Sequence, residues 1–212
     1  MTFAETLKNR ISIRDFKAEA PSHEELTAIV ADAQMAPSWA NTQPWKVYIA
    51  TGDTMEAIRK DHMEKAAAGT KGYSDLPTKS RKDWGVHSLE NMTAWLDKLG
   101  QDPKMENFSQ ANAQLWNAPA MAYITIPRTA PVWSVYDAGA FAQTLMLAAA
   151  SRQVDTMVAY ENVRFPDEIR EHMAVSDDEI IVAGIALGYR SDNHINLLGR
   201  DRTATEEILT IK

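Results

Sequence analysis

The stretch that most limits what this chain can fold into is residues 135–152, a helical run without a polar face. Ala138, Gly139, Ala140, Phe141, Ala142, Leu145, Met146, Leu147, Ala148 and Ala149 make it apolar or small on nearly every side. Such a helix must be buried, because no rotation about its axis offers water a polar surface. In a chain of 212 residues, most simply one domain, it belongs in the core or at a subunit interface. Its small residues permit close helix–helix approach, which points toward an oligomer.

Several shorter elements surround this helix. Thr2 with Glu5 and Ser22 with Glu25 have the spacing of capping boxes, so two helices begin there. Residues 45–50 read as a strand, and Asp53 with Glu56 starts a third helix that Gly69 stops near residue 68. Residues 118–126 have the pattern of a buried strand ended by Pro127, and Pro166 stands at the first position of another helix. Residues 180–188 carry the apolar run of a strand covered on both faces. Ile208, Leu209, Thr210 and Ile211 read as a terminal strand at the end of a long arm, of the kind that pairs away from its own sheet. Helices and strands mix without strict alternation, which favours an α+β fold around a central sheet. From about 70 to 117 the composition turns polar, with a helix over 86–99 and Trp84, Trp95, Phe108 and Trp116 as isolated aromatics. That excursion is either a cover over a site or surface elaboration.

Two stretches carry candidate binding chemistry. In residues 36–45, Pro37 and Pro44 stiffen a loop in which Ser38, Asn41, Thr42 and Gln43 supply donors and acceptors. Trp39 and Trp45 add flat faces. The loop suits a planar, heteroatom-rich ligand; the plainer alternative is a turn that collects good turn residues. In residues 9–16, Arg10, Ser12 and Arg14 alternate with Ile11 and Ile13, so an extended backbone turns the polar trio to one side. Two guanidiniums and a hydroxyl on one side describe an anion pocket, and the alternative is a solvated edge with an ion pair to Asp15. Arg200 and Arg202 repeat the arrangement near the other end.

The formal charge of −7 argues against general affinity for nucleic acid. The absence of cysteine excludes disulfides, thiolate metal sites and cysteine nucleophiles. The five histidines show no metal-ligand spacing. No apolar run approaches a membrane span and no leader pattern opens the chain, so the expected location is cytoplasmic and no membrane partner is expected. There is no GxGxxG or phosphate-loop pattern, no serine–histidine–aspartate order and no paired-carboxylate motif, so no catalytic side chain is assigned.

Taken together, the pieces resemble the FMN-dependent nitroreductase family. The resemblance is carried by Arg10-x-Ser12-x-Arg14-x-Phe16, by Ala36-Pro37-Ser38-x-x-Asn41-x-Gln43-Pro44-Trp45 and by Ala118-Pro119. Asp137-x-Gly139, Phe165-Pro166, Gly184-x-Ala186-x-Gly188-Tyr189 and the tail from Asn196 to Arg202 follow in the same order. It covers nearly the whole chain except about 70–117, which stands as a variable, lid-like excursion within a single domain of residues 1–212.

The family implies a three-layer α+β fold with a central mixed sheet flanked by helices, in an obligate homodimer whose C-terminal segments are exchanged. FMN would lie at the subunit interface. By matching position, Arg10, Ser12 and Arg14 would hold its phosphate, ribityl and pyrimidine end, with Arg200 and Arg202 completing the phosphate clamp. Pro37, Ser38, Trp39, Asn41 and Gln43 would approach the ring from the other subunit. Val158, Ala159, Tyr160 and Glu161 would lie along one ring face, with the Tyr160 N–H directed at N5. NADH or NADPH would deliver hydride, and a nitroaromatic, quinone or related electron-poor acceptor would then occupy the same space, giving ping-pong kinetics. The alternatives are other flavin chemistry on the same scaffold, such as enone reduction, dehalogenation or flavin fragmentation, or a flavin-binding protein without enzymatic activity. The sequence departs from the family where Val158 and Glu161 replace the commoner Pro and Gly.

Overall fold

A computed structural model describes residues 1–199 and 201–212. Its elements are α1 (Phe3–Asn9), α2 (His23–Ala33), β1 (Lys46–Thr51), α3 (Gly52–Ala67), α4 (Val86–Gln101) and α5 (Phe108–Ala113), then β2 (Ala120–Pro127), α6 (Val132–Ser151), β3 (Asp155–Val158), α7 (Pro166–Met173), β4 (Glu179–Gly188) and α8 (Thr205–Ile208). Both capping boxes form. The Thr2 and Ser22 side chains accept from the N–H groups of Glu5 and Glu25, whose carboxylates reach back to the cap N–H groups. The third helix starts one residue earlier than Asp53, on Gly52 at φ +52°, and Glu56 turns to Arg59 instead of capping.

The sheet order is β1-β2-β4-β3, and every neighbouring pair of these strands is antiparallel. The expected mixed sheet is therefore corrected. The mixed sheet is what the resemblance implies; the apolar run of β4, read as covered on both faces, comes from a central antiparallel position with helices on both faces. Alternation divides the side chains between two cores. Ala120, Ala122, Ile124 and Ile126 of β2 join Leu26 and Ile29 of α2 and Phe141 and Leu145 of α6. Met121 and Tyr123 face the other way, toward Met55 and Ile58 of α3 and Ile169 of α7. These are the three layers expected from the resemblance.

Helix α6 meets the core placement expected from its composition on one side only. Phe141 and Leu145 are fully buried against the sheet, whereas Trp133 and Tyr136 are 60% and 69% exposed on a side the single chain leaves open. The excursion is likewise divided. Trp84 is exposed, but Trp116 is buried, and an edge-to-face relay joins Trp95 to Phe108 and Phe108 to Trp116 at centroid distances of 5.8 and 5.6 Å. The C-terminal half of the excursion is thus part of the core. The expected terminal strand does not form among the described residues: α8 ends at Ile208, and Leu209 and Ile211 stay exposed. A strand forms only where another strand's edge pairs with it, and among the described residues the tail pairs with no strand of its own chain. No helix is long and apolar enough to cross a membrane among the described residues.

Candidate functional site

The alternating arm at residues 10–14 runs along the sheet's outer edge. Ser12 forms a parallel bridge with Thr156 of β3, and the Ile13 N–H donates to the Thr156 carbonyl at 3.0 Å. This pairing sends Ile13 into the core and leaves Arg10, Ser12 and Arg14 facing a cavity of about 760 Å³. The far wall is the tail with Arg202, and α4 closes the side with Trp95 and Lys98. Arg200, the other half of the expected clamp, lies outside the described residues.

Asn196 fastens the tail to the arm. Its Oδ1 accepts from the N–H groups of Arg14 at 2.7 Å and Asp15 at 3.0 Å, while Nδ2 donates to the carbonyls of Asp15 and Ser191. Two elements nearly the whole chain apart are thereby held edge to edge. The expected alternative, an arginine–Asp15 pair on a solvated edge, is not what Asp15 does: its carboxylate accepts from Asn117 at 2.7 Å and from the Ser191 hydroxyl. Across the cavity, Lys98 pairs with Asp201 and Asn91 donates to the Thr203 hydroxyl, so α4 grips the tail.

Arg14 is the unusual member of the group. It is 8% exposed, its Nη1 donates to the Ser12 carbonyl at 3.1 Å, and its buried Nε has no hydrogen-bond partner among the described residues. Burial lowers its pKa, yet a guanidinium keeps its charge at neutral pH. A buried cation with an unfilled donor is costly unless an anion completes it. With Arg10, Ser12 and Arg202 lining the same cavity, the donor set suits a phosphate group: forked donors for its oxygens and a hydroxyl that both gives and accepts.

The proline-stiffened loop lies elsewhere. It contains the short turn Trp39–Asn41, with Ala40, Asn41 and Gln43 at φ +47°, +61° and +44°. Left-handed backbone at residues with side chains persists only where surrounding bonds enforce it. Here the Trp39 N–H donates to both carboxylate oxygens of Asp137 on α6, and the Gln43 N–H donates to the Ser38 hydroxyl at 2.9 Å. Trp45 stacks on Phe141 with centroids 4.8 Å apart, which anchors the loop on α6. Trp39 remains 62% exposed, and Pro37, Ser38, Trp39, Asn41 and Gln43 are not among the residues lining the arm's cavity. The single chain brings Arg10, Ser12, Arg14 and Arg202 together and leaves the loop on a separate surface.

The segment 158–161 follows directly from the strand the arm bridges. Val158 and Tyr160 are 40% and 43% exposed, and Tyr160–Val163 forms a single 3₁₀ turn. The first N–H groups of such a turn have no intrahelical partner, and Val158, Ala159, Tyr160 and Glu161, like the proline-stiffened loop, are not among the residues lining the arm's cavity. Glu161 behaves differently from its neighbours. Its side chain is buried and bonded to His62 and Arg164, each at 3.0 Å, so it does not crowd the surface on which Val158 and Tyr160 lie. Sequence reading missed Asn196 and His62 as parts of this arrangement; Asn196 stood inside a recognised stretch, but nothing local marked His62. Among the described residues, no group of three or more His, Asp and Glu side chains could hold a metal ion.

The chain matches the model of the Nitroreductase family over residues 7–189. It is 30% identical over 201 residues to a 4-nitrobenzoate reductase of Pseudomonas putida, spanning 90% of this chain and 86% of that one. A nitrobenzene nitroreductase of Ectopseudomonas oleovorans is 27% identical over 215 residues, spanning 96% and 94%. In fold, the chain is similar to an FMN-dependent nitroreductase of Mycobacterium smegmatis solved in complex with NADPH. That match has a TM-score of 0.89 at 22% identity and covers 99% of this chain and 98% of the other.

Proposed function

The chain belongs to the nitroreductase family, and on that premise we propose that it is an FMN-dependent oxidoreductase. In this reading it takes electrons from NADPH or NADH and reduces nitroaromatic or quinone-like acceptors. The observation that carries the reading is the convergence of Arg10, Ser12, the buried Arg14 and Arg202 on one cavity. FMN, when bound, supplies the two-electron chemistry between nicotinamide and acceptor.

The protein's part is to hold, orient and polarise. Arg10, Ser12, Arg14 and Arg202 bind the phosphate end, and Arg200 is assigned to the same clamp by position. The N–H of Tyr160, assigned to the ring by the family resemblance, offers a donor to the edge where negative charge gathers on reduction, which is where a preorganised dipole is most effective. Val158 and Ala159 supply an apolar ledge beside it. The loop residues Pro37, Ser38, Trp39, Asn41 and Gln43, which the family resemblance assigns to the ring from the other subunit, stand apart from the cavity of their own chain and act on the site of a second copy. That makes the working unit a homodimer with two equivalent sites. The open face of α6 and the unpaired tail supply apolar surface for that association. Donor and acceptor then use one cavity in turn, and no side chain has to serve as nucleophile or general base.

The test is the visible absorption spectrum of purified protein reconstituted with FMN, followed by anaerobic NADPH or NADH and then 4-nitrobenzoate. The expected result is a bound flavin spectrum that bleaches with nucleotide and returns with the nitroaromatic. A protein that takes up no FMN overturns the proposal, and one whose flavin never bleaches overturns the oxidoreductase role.

A further inference from the structure

Behind the turn Tyr160–Val163, away from the cavity, lies a buried polar chain that the proposed reaction does not use directly. His62 of α3 is 3% exposed. Its Nε2 lies 3.0 Å from Oε1 of Glu161, its Nδ1 lies 3.9 Å from Oε2 of Glu168, and its ring packs on Phe165 with centroids 5.0 Å apart. The same Glu161 oxygen accepts from Arg164 Nη1 at 3.0 Å, and Arg164 Nη2 donates to the Thr70 carbonyl at 2.7 Å. Burial alone would raise the Glu161 carboxyl, but hydrogen bonds and charge from His62 and Arg164 outweigh it and hold it below the ordinary range. Glu161 is therefore an anion bound into the interior, anchored there by its hydrogen bonds, while Ala159 beside it only packs against the core.

Such a chain is a poor source of net stability, because removing charged groups from water cancels most of their attraction. What it does supply is position. The Glu161 backbone adjoins Tyr160, so whatever fixes the carboxylate also fixes where the Tyr160 N–H points. On the turn's other side, Asn162 Nδ2 donates to the carbonyls of Met157 and Gly184 at 3.0 and 2.9 Å, and its Oδ1 accepts from the Trp116 indole at 3.1 Å. The turn is held from both sides, and the side formed by His62 comes from a helix that contributes nothing to the cavity.

We propose that His62 is a positioning residue for flavin reduction: acting through Glu161, it holds the Tyr160 N–H at the ring edge that gains charge. The inference rests on the functional reading above. A donor displaced by a fraction of an ångström stabilises the reduced ring less, so the bound flavin becomes harder to reduce. Affinity for FMN changes little, because the phosphate is held at the arm and tail.

The experiment compares FMN-loaded wild type with His62→Leu, His62→Gln and Glu161→Gln. It reads the anaerobic NADPH reduction rate, the midpoint potential of the bound flavin, and FMN affinity by fluorescence quenching. His62→Leu should lower the reduction rate by about tenfold or more and shift the potential negative, with FMN affinity retained. His62→Gln, whose amide restores an N–H toward Glu161, should recover most of both. A His62→Leu protein equal to wild type in rate and potential overturns the proposal, as does a His62→Gln protein no better than His62→Leu. Should His62→Leu not fold, Glu161→Gln, equal in volume and without the charge, takes its place, and its equality with wild type overturns the proposal in the same way. Wild type that binds no FMN overturns the functional reading itself, before any variant is made.

Discussion

At the scale of single residues, chemistry follows from which side chains are left incomplete. Arg14 is buried with an Nε that has no hydrogen-bond partner among the described residues, whereas Arg202 lies at the exposed tail with its Nη1 donating to the Asp201 carbonyl at 2.7 Å. A charge-assisted hydrogen bond to phosphate is worth about 1.5–3 kcal/mol. Arg202→Ala should therefore weaken FMN binding by about ten- to a hundredfold, measured by flavin fluorescence on dilution, with little effect on folding. Glu179 shows the opposite condition, an acid completed from several sides. Burial would raise its carboxyl, but hydrogen bonds from Lys46, Thr125 and Tyr48 and the Lys46 charge bring it below its ordinary value. A carboxyl lowered by folding adds stability above its unfolded pKa, about 4.3, and loses it as pH falls through the folded value. Glu179→Gln should thus be destabilised near neutral pH and converge with wild type in strong acid, as read from urea midpoints across pH. The trio Arg10, Ser12 and Arg14 was legible because alternation in an extended segment has one outcome. The inward turn of Glu161 was not, since a 3₁₀ turn redirects successive side chains and its partner His62 is distant in sequence.

At the scale of elements, local signals did most of the work where they were self-contained. Ser22 and Glu25 predicted a helix start, and the structure has both bonds of the box. Ser22→Ala should cost about 1 kcal/mol, seen as a lower urea midpoint with unchanged slope. Close approach is a tertiary matter. A Cβ on Gly184 of β4 would fall 2.7 Å from the Asn162 Cβ and 3.1 Å from its carbonyl oxygen, so the strand touches the 160–163 turn only because that residue is glycine. Gly184→Ala should lower the thermal midpoint and slow flavin reduction together, whereas Ser22→Ala should move stability alone. The excursion at 70–117 shows where composition misleads. Its polar background concealed Trp116, which is buried because the edge-to-face relay through Phe108 and its bond to Asn162 draw it into the core.

At the scale of the whole molecule, the proposed dimer would join two surfaces that the single chain keeps apart. The arm and tail form a cationic cavity, while the strained loop and the open face of α6 lie elsewhere, with Trp39, Trp133 and Tyr136 exposed. Light scattering should give twice the chain mass of 23.6 kDa. Trp133→Glu combined with Tyr136→Glu should give monomers that release FMN, although both residues lie outside the cavity. A monomeric variant that keeps its flavin would refute the two-chain site. The sequence by itself determined the helix starts at the two capping boxes, the strands near 45–50, 118–126 and 180–188, the burial of one face of α6 and the shared side of Arg10, Ser12 and Arg14. Each of these follows from chain geometry over a few residues: the period of a helix, the alternation of a strand, the reach of a cap. Only the tertiary structure decided that the sheet is antiparallel, that Trp116 is buried, and that His62 stands behind the Tyr160 turn. Those outcomes depend on which distant segments share an edge, and no local periodicity carries that information.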